Sequence, residues 1–129
     1  MKKISLLTKI IFHISNIGLI ILYIYPGSIM GWIIYSDLQK QPQITQDFIF
    51  FSSNHVYAFL ILSSLGVVSF VDKINILFLY LFFISIFLEL SHTLIPERSF
   101  EYPDLFGNFL GVLLIFIIIK LFKFLKLNE

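Results

Sequence analysis

A chain of 129 residues that is 58% hydrophobic and 13% charged is too apolar for a soluble fold, since ordinary domains carry about 25% charged residues. It is also too short for several domains, so residues 1–129 read as one all-α integral membrane domain. The net charge of +1 spread over nine basic and eight acidic residues leaves no basic cluster for nucleic acid. The absence of cysteine excludes a disulfide framework, a thiolate metal site and a cysteine nucleophile.

A membrane-spanning helix needs roughly 20 mostly apolar residues, and four stretches approach this. The first predicted span covers about 6–25 and stops at Pro26 and Gly27, a strong helix-ending pair. Lys2 and Lys3 before it resemble the start of a signal peptide, but no small-x-small cleavage site closes the run. It therefore reads as a retained helix. An apolar segment over 28–35 follows, with Trp32 and Tyr35. Such residues favour the headgroup level, so this segment is expected to lie along the membrane surface or dip back into the bundle.

The longest polar stretch, 36–54, leads to a second span over about 55–71. A tight turn at Asp72 to Asn75 joins it to a third span over about 76–91, and the fourth covers about 105–122. Gly107 and Gly111 on the fourth span form a GxxxG pair that lets a neighbouring helix approach closely. Ser63, Ser64, Gly66 and Ser69 on the second span are its expected partners. His13 and Asn16 should face another helix, and Trp32 and the tyrosines read as interfacial anchors.

Lysine and arginine placement sets orientation. With both termini cytoplasmic, Lys2, Lys3, Lys9, Lys73, Lys120, Lys123 and Lys126 fall inside, and only Lys40 and Arg98 outside. The lysines of the last span also meet anionic lipid of the inner leaflet. Among the acids, Asp72 and Glu129 fall inside and the other six at the outer boundary.

This topology gathers scattered polar residues. The second span begins with His55, the third ends with Glu89 and His92, and the fourth begins with Asp104 and Asn108. All five should lie at one level, with Arg98 in the loop above. Glu89 and His92 are three apart and Asp104 and Asn108 four apart, so each pair shares a helix face. A carboxylate following an apolar run must turn toward the bundle interior and find a partner. Arg98, the sole arginine, suits a carboxylate or a phosphate. Asp104 after Pro103 is placed to satisfy free N–H groups at a helix start.

Glu89, a polar residue at 92, Pro96, Arg98, Phe100, Asp104, Asn108 and Gly111 resemble the C-terminal signature of the VanZ-like membrane proteins. His55, Phe59 and Leu62 resemble their upstream motif. Four positions depart from that pattern. His92 stands where the family usually has Gln, Phe51 and Ser52 replace an Asp-Lys pair, and Ile115 replaces a Gly. The resemblance implies a small multi-pass protein of the bacterial cytoplasmic membrane. It also implies a polar site on the extracytoplasmic face and a link to cell-envelope chemistry, as in teicoplanin-type glycopeptide resistance.

Three functions are expected from these residues. The preferred one is binding or modulation of an amphiphile, a glycopeptide or a lipid-linked envelope precursor through His55, Glu89, His92, Arg98, Asp104 and Asn108. The second is an acid–base enzyme on such a lipid, with Glu89 and His92 as catalytic candidates. The third is a structural subunit of an envelope assembly. No HExxH or similar spacing is present, so neither a metal nor a cofactor is assigned from sequence.

Overall fold

A computed structural model describes residues 2–127, with side chains over 6–126. Glu129 and the side chains of Lys2 and Lys3, all used in the charge count, lie outside the described residues. Among the described residues five α-helices make the fold, and no strand is present. They are α1 (Lys2–Ile24), α2 (Ile29–Tyr35), α3 (Ser53–Ser69), α4 (Ile74–Ser91) and α5 (Tyr102–Leu127). The segments Leu6–Ile24, Val71–Ser91 and Tyr102–Lys126 are long and apolar enough to cross a membrane. The fourth expected span, α3, has 17 residues, or about 26 Å at 1.5 Å per residue. That is a few ångström short of a hydrocarbon core of about 30 Å.

Each helix ends where its local chemistry dictates. Pro26 and Gly27, the latter at φ 86°, turn the chain after α1. Ser28 then caps α2 by accepting the Gly31 N–H at 2.9 Å, and α2 stops at Ser36 in the left-handed region. α2 packs back on the chain that follows it: the Ser28 N–H donates to the Leu38 carbonyl at 2.8 Å. A Cβ on Gly31 would overlap the Lys40 carbonyl oxygen. The turn expected at Asp72 is a single 3-10 turn over Val71–Lys73, with Asn75 already inside α4.

The polar stretch before α3 is an ordered cap. The Asp47 carboxylate accepts the Ser53 N–H at 2.9 Å, where an anion also complements the helix dipole. Asn54 ties the loop from both ends, donating to the Pro42 carbonyl at 2.7 Å and accepting the Ile44 N–H at 3.0 Å. The Ser52 N–H donates to the Pro103 carbonyl at 3.0 Å, which locks the start of α3 to the start of α5.

α4 carries the clearest stripe. Ile74, Leu77, Phe78, Leu81, Ile84, Ser85, Leu88 and Glu89 are buried, the three-and-four spacing of one helical face. Glu89 occupies the same stripe as Leu81 and Leu88, so the packing that buries the leucines also buries the carboxylate. Outward residues such as Ile14, Phe83 and Leu79 are 65–73% exposed or nearly so (66%, 65% and 73%). An apolar exterior of this extent is the surface a bilayer covers.

The GxxxG pair does seat α5 on another helix, but not against the expected partners. Gly107 and Gly111 meet the first half of α3, between Ser52 and Leu60, and Gly66 faces Leu77 and Phe12 instead. Parallel packing puts the start of α5 beside the start of α3, where the Ser52–Pro103 hydrogen bond fixes this register. A Cβ on Gly111 would lie 2.5 Å from the Val56 carbonyl oxygen and 2.9 Å from the Leu60 nitrogen, and backbone cannot step aside. Gly18 has nothing within 4 Å of the same position. Both glycine-to-alanine changes gain about 1 kcal/mol of helix propensity. Gly111→Ala should nevertheless destabilise by about 1–3 kcal/mol through overpacking, while Gly18→Ala is neutral or stabilising. Thermal unfolding of the two variants in detergent checks this; equal melting temperatures would contradict it.

Candidate functional site

Four helices bring polar side chains to one level near the end of the bundle where α3 and α5 begin. α1 supplies Tyr23 in its last turn, α3 supplies His55, α4 supplies Glu89 with His92 at its C-cap, and α5 supplies Asp104 and Asn108. The expected grouping of His55, Glu89, His92, Asp104 and Asn108 therefore forms. All but Asp104, which is half-buried, are buried, and Glu89 and Asn108 are fully so.

Asn108 orients the centre. Its Nδ2 donates to the Ser85 carbonyl at 3.1 Å; because a carbonyl only accepts, this fixes which way the amide points. Its Oδ1 then accepts from the Tyr23 hydroxyl and faces His55 Nδ1 at 2.9 Å. Tyr23 Oη also lies 2.8 Å from His55 Nδ1. With the single tyrosine proton committed to Asn108, both contacts at His55 Nδ1 are attractive only if that nitrogen carries hydrogen. His55 Nε2 is left facing Asp104 Oδ2 at 3.3 Å.

Glu89 is held from one side. Its Oε1 accepts the Glu101 N–H at 3.2 Å and lies 3.3 Å from His92 Nδ1. His92 Nε2 lies 3.1 Å from the Tyr23 carbonyl oxygen, and the His92 ring stacks on Tyr23. Both ring nitrogens thus face acceptors. The His92–Glu89 pair satisfies both contacts by holding one extra proton, as imidazolium with carboxylate or imidazole with carboxylic acid. Glu89 Oε2, by contrast, has no hydrogen-bond partner. His55 Nδ1 is 3.9 Å from it, beyond hydrogen-bonding reach.

Arg98 lies in the loop above the cluster, and its hydrogen bonds go to backbone carbonyls. Its Nε and Nη2 donate to the carbonyls of Tyr25 and Leu22 at 3.2 and 2.7 Å. It closes the C-terminus of α1, where a cation satisfies open carbonyls and the helix dipole. Among the described residues it forms no ion pair with Glu89 or any other carboxylate. Partial burial pulls its guanidinium below the ordinary arginine value, opposed by the nearby carboxylates of Glu89 and Asp104; an arginine remains charged through such shifts.

A cavity of about 500 Å³ opens beside this cluster. Leu19, Leu22, Ile34 and Ala58 give it apolar walls, while His55, His92 and Arg98 line it with polar groups. Segment 28–35, as α2, forms part of its wall. Tyr23 is the member that sequence reasoning missed: it is 7% exposed and sits in the core, not at the interface. Tyr80 likewise turns inward, to Asn16, and that contact bears out the inward-facing reading of Asn16. His13 is exposed, with its ring against Phe70.

Compared with protein-family models, curated proteins and solved structures, the chain matches none. Function therefore rests on the site's own geometry.

Asn108 bridges three helices with no exposed surface. Asn108→Leu removes the fixed acceptor at Tyr23 and His55 and the donor at Ser85, and should destabilise by about 1–3 kcal/mol. Ser99→Ala, which removes only an exposed hydroxyl bond to Glu101, should change stability by less than about 0.5 kcal/mol. Denaturation in detergent, followed by helical circular dichroism, compares the two.

Proposed function

We propose that this is a multi-pass membrane protein that binds an amphiphile, with the polar head against His55, His92 and Arg98 and the apolar part along Leu19, Leu22, Ile34 and Ala58. The observation that carries the reading is the roughly 500 Å³ cavity with apolar walls and a polar end, the pattern of a small-molecule site. In this reading α3 completes a four-span bundle with the adjoining turn Val71–Lys73. Both termini are cytoplasmic on the seven-to-two lysine and arginine asymmetry. The cavity then faces the outer leaflet. The resemblance to VanZ-like proteins favours a lipid-linked envelope component or a glycopeptide as the amphiphile, and the bacterial cytoplasmic membrane as the location.

A second reading, catalysis on that amphiphile, is favoured by the contact of Glu89 with His92, which lines the cavity, since an imidazole beside a carboxylate is the apparatus of acid–base catalysis. Turnover of lipid-linked substrate by purified protein that survives in both Glu89→Gln and His92→Ala would remove it.

The binding reading is tested by filling the cavity. Ala58→Trp should cut the co-purified amphiphile, read by mass spectrometry of lipids retained in mild detergent, by about tenfold or more, with the protein still accumulating in the membrane. Arg98→Ala should also lower retention, and Arg98→Lys should restore part of it. Unchanged retention in Ala58→Trp would contradict the proposal.

A further inference from the structure

The centre of the cluster contains a mismatch that its hydrogen bonds do not resolve. His55 Nδ1 carries hydrogen toward Tyr23 and Asn108, which leaves Nε2 to face Asp104 Oδ2 across 3.3 Å. Glu89 Oε2 is fully buried and has no hydrogen-bond partner. One ligand atom from each of His55, Glu89 and Asp104 lies within 4.8 Å of the others. Electron-pair donors converge here, and Arg98, the sole arginine, is turned to the α1 carbonyls.

We infer that His55, Glu89 and Asp104 bind one divalent transition-metal ion of the zinc type. The donor set is one imidazole nitrogen and two carboxylate oxygens, which such ions accept and which magnesium and calcium, as all-oxygen binders, do not favour. Spacing agrees. With bonds of about 2.0–2.2 Å in a tetrahedron, two ligand atoms sit about 3.3–3.6 Å apart, and His55 Nε2 and Asp104 Oδ2 are already 3.3 Å apart. The widest spacing among ligand atoms, within 4.8 Å, closes by at most roughly 1.5 Å around the ion, within reach of a carboxylate rotation at Glu89.

The surroundings supply the second layer of contacts that metal ligands require. A ligating histidine gives its other N–H to a fixed acceptor, and His55 Nδ1 has Asn108 Oδ1 and Tyr23 Oη for this. A ligating carboxylate is held by its second oxygen, and Glu89 Oε1 has the Glu101 N–H and His92 for this. Three protein ligands leave the fourth position of a tetrahedron open, and His55 lines the cavity. The inference does not depend on an amphiphile occupying that cavity.

The test uses the full chain in detergent, purified with a histidine-free tag, stripped with a chelator and titrated with zinc chloride or cobalt chloride alone. Isothermal titration should give one metal per chain, and bound cobalt should show the intense visible bands of a four-coordinate site. His55→Gln and Asp104→Asn should each lower the stoichiometry to background, while His13→Ala keeps it. Tyr23→Phe should weaken affinity about 10–100-fold without abolishing binding. Because a ligand variant can fail to fold, wild type is also melted in zinc and in chelator, and zinc should raise its melting temperature. Wild-type protein that takes up no metal above background, or metal bound equally by His55→Gln and Asp104→Asn, overturns the proposal. In that outcome a proton on His55 Nε2 joins it to Asp104.

Discussion

A carboxylate with no solvent exposure, set in an apolar helical bundle, is the constraint around which the structure is arranged. Moving a bare charge into such surroundings costs many kcal/mol unless it is paired or coordinated. Glu89 lies on the same stripe of α4 as Leu81 and Leu88, so α4 cannot bury its leucines without burying the acid. Its environment must therefore come from other elements: the Glu101 N–H from the loop, His92 from the helix end, and His55 and Asp104 across the bundle.

Holding those groups together depends on close helix approach. Gly107 and Gly111 let α5 touch the backbone of α3 between Ser52 and Leu60, which places Asn108 and Asp104 against His55. The Ser52–Pro103 hydrogen bond fixes the register at the top. Asp47 and Asn54 stitch the preceding loop to the start of α3. Arg98 clamps the loop after α4 to the end of α1, which in turn holds Tyr23 over His55 and His92. Packing by the smallest residues and capping by polar loops thus serve one polar cluster.

Much of this was legible in the residues. Apolar length located the helices to within a few residues, and the order of spans put His55, Glu89, His92, Asp104 and Asn108 at one end. The apolar run before Glu89 also required its carboxylate to face inward. Three features were not legible. Tyr23 follows an apolar run and precedes Pro26, the ordinary setting of an interfacial anchor, and only the rotation of α1 turns it to the core. Arg98 has several carboxylates within a few residues, yet the open carbonyls at the end of α1, distant in sequence, claim it. The grouping of His55 with Glu89 and Asp104 at ligand distances depends on which half of α3 meets the GxxxG pair. Small residues occur in both halves, so composition does not choose between them.

The central claim, that buried Glu89 and half-buried Asp104 are met by these particular histidines, is tested most directly by solid-state nuclear magnetic resonance on the full chain in lipid bilayers. Three histidines make ring labelling tractable, with carboxyl-labelled aspartate and glutamate beside them. The account predicts through-space correlations of His55 with Asp104 and of His92 with Glu89, with both rings protected from rapid water exchange and His13 lacking such partners. His55 and His92 rings that exchange freely with water and show no carboxyl correlation would contradict it.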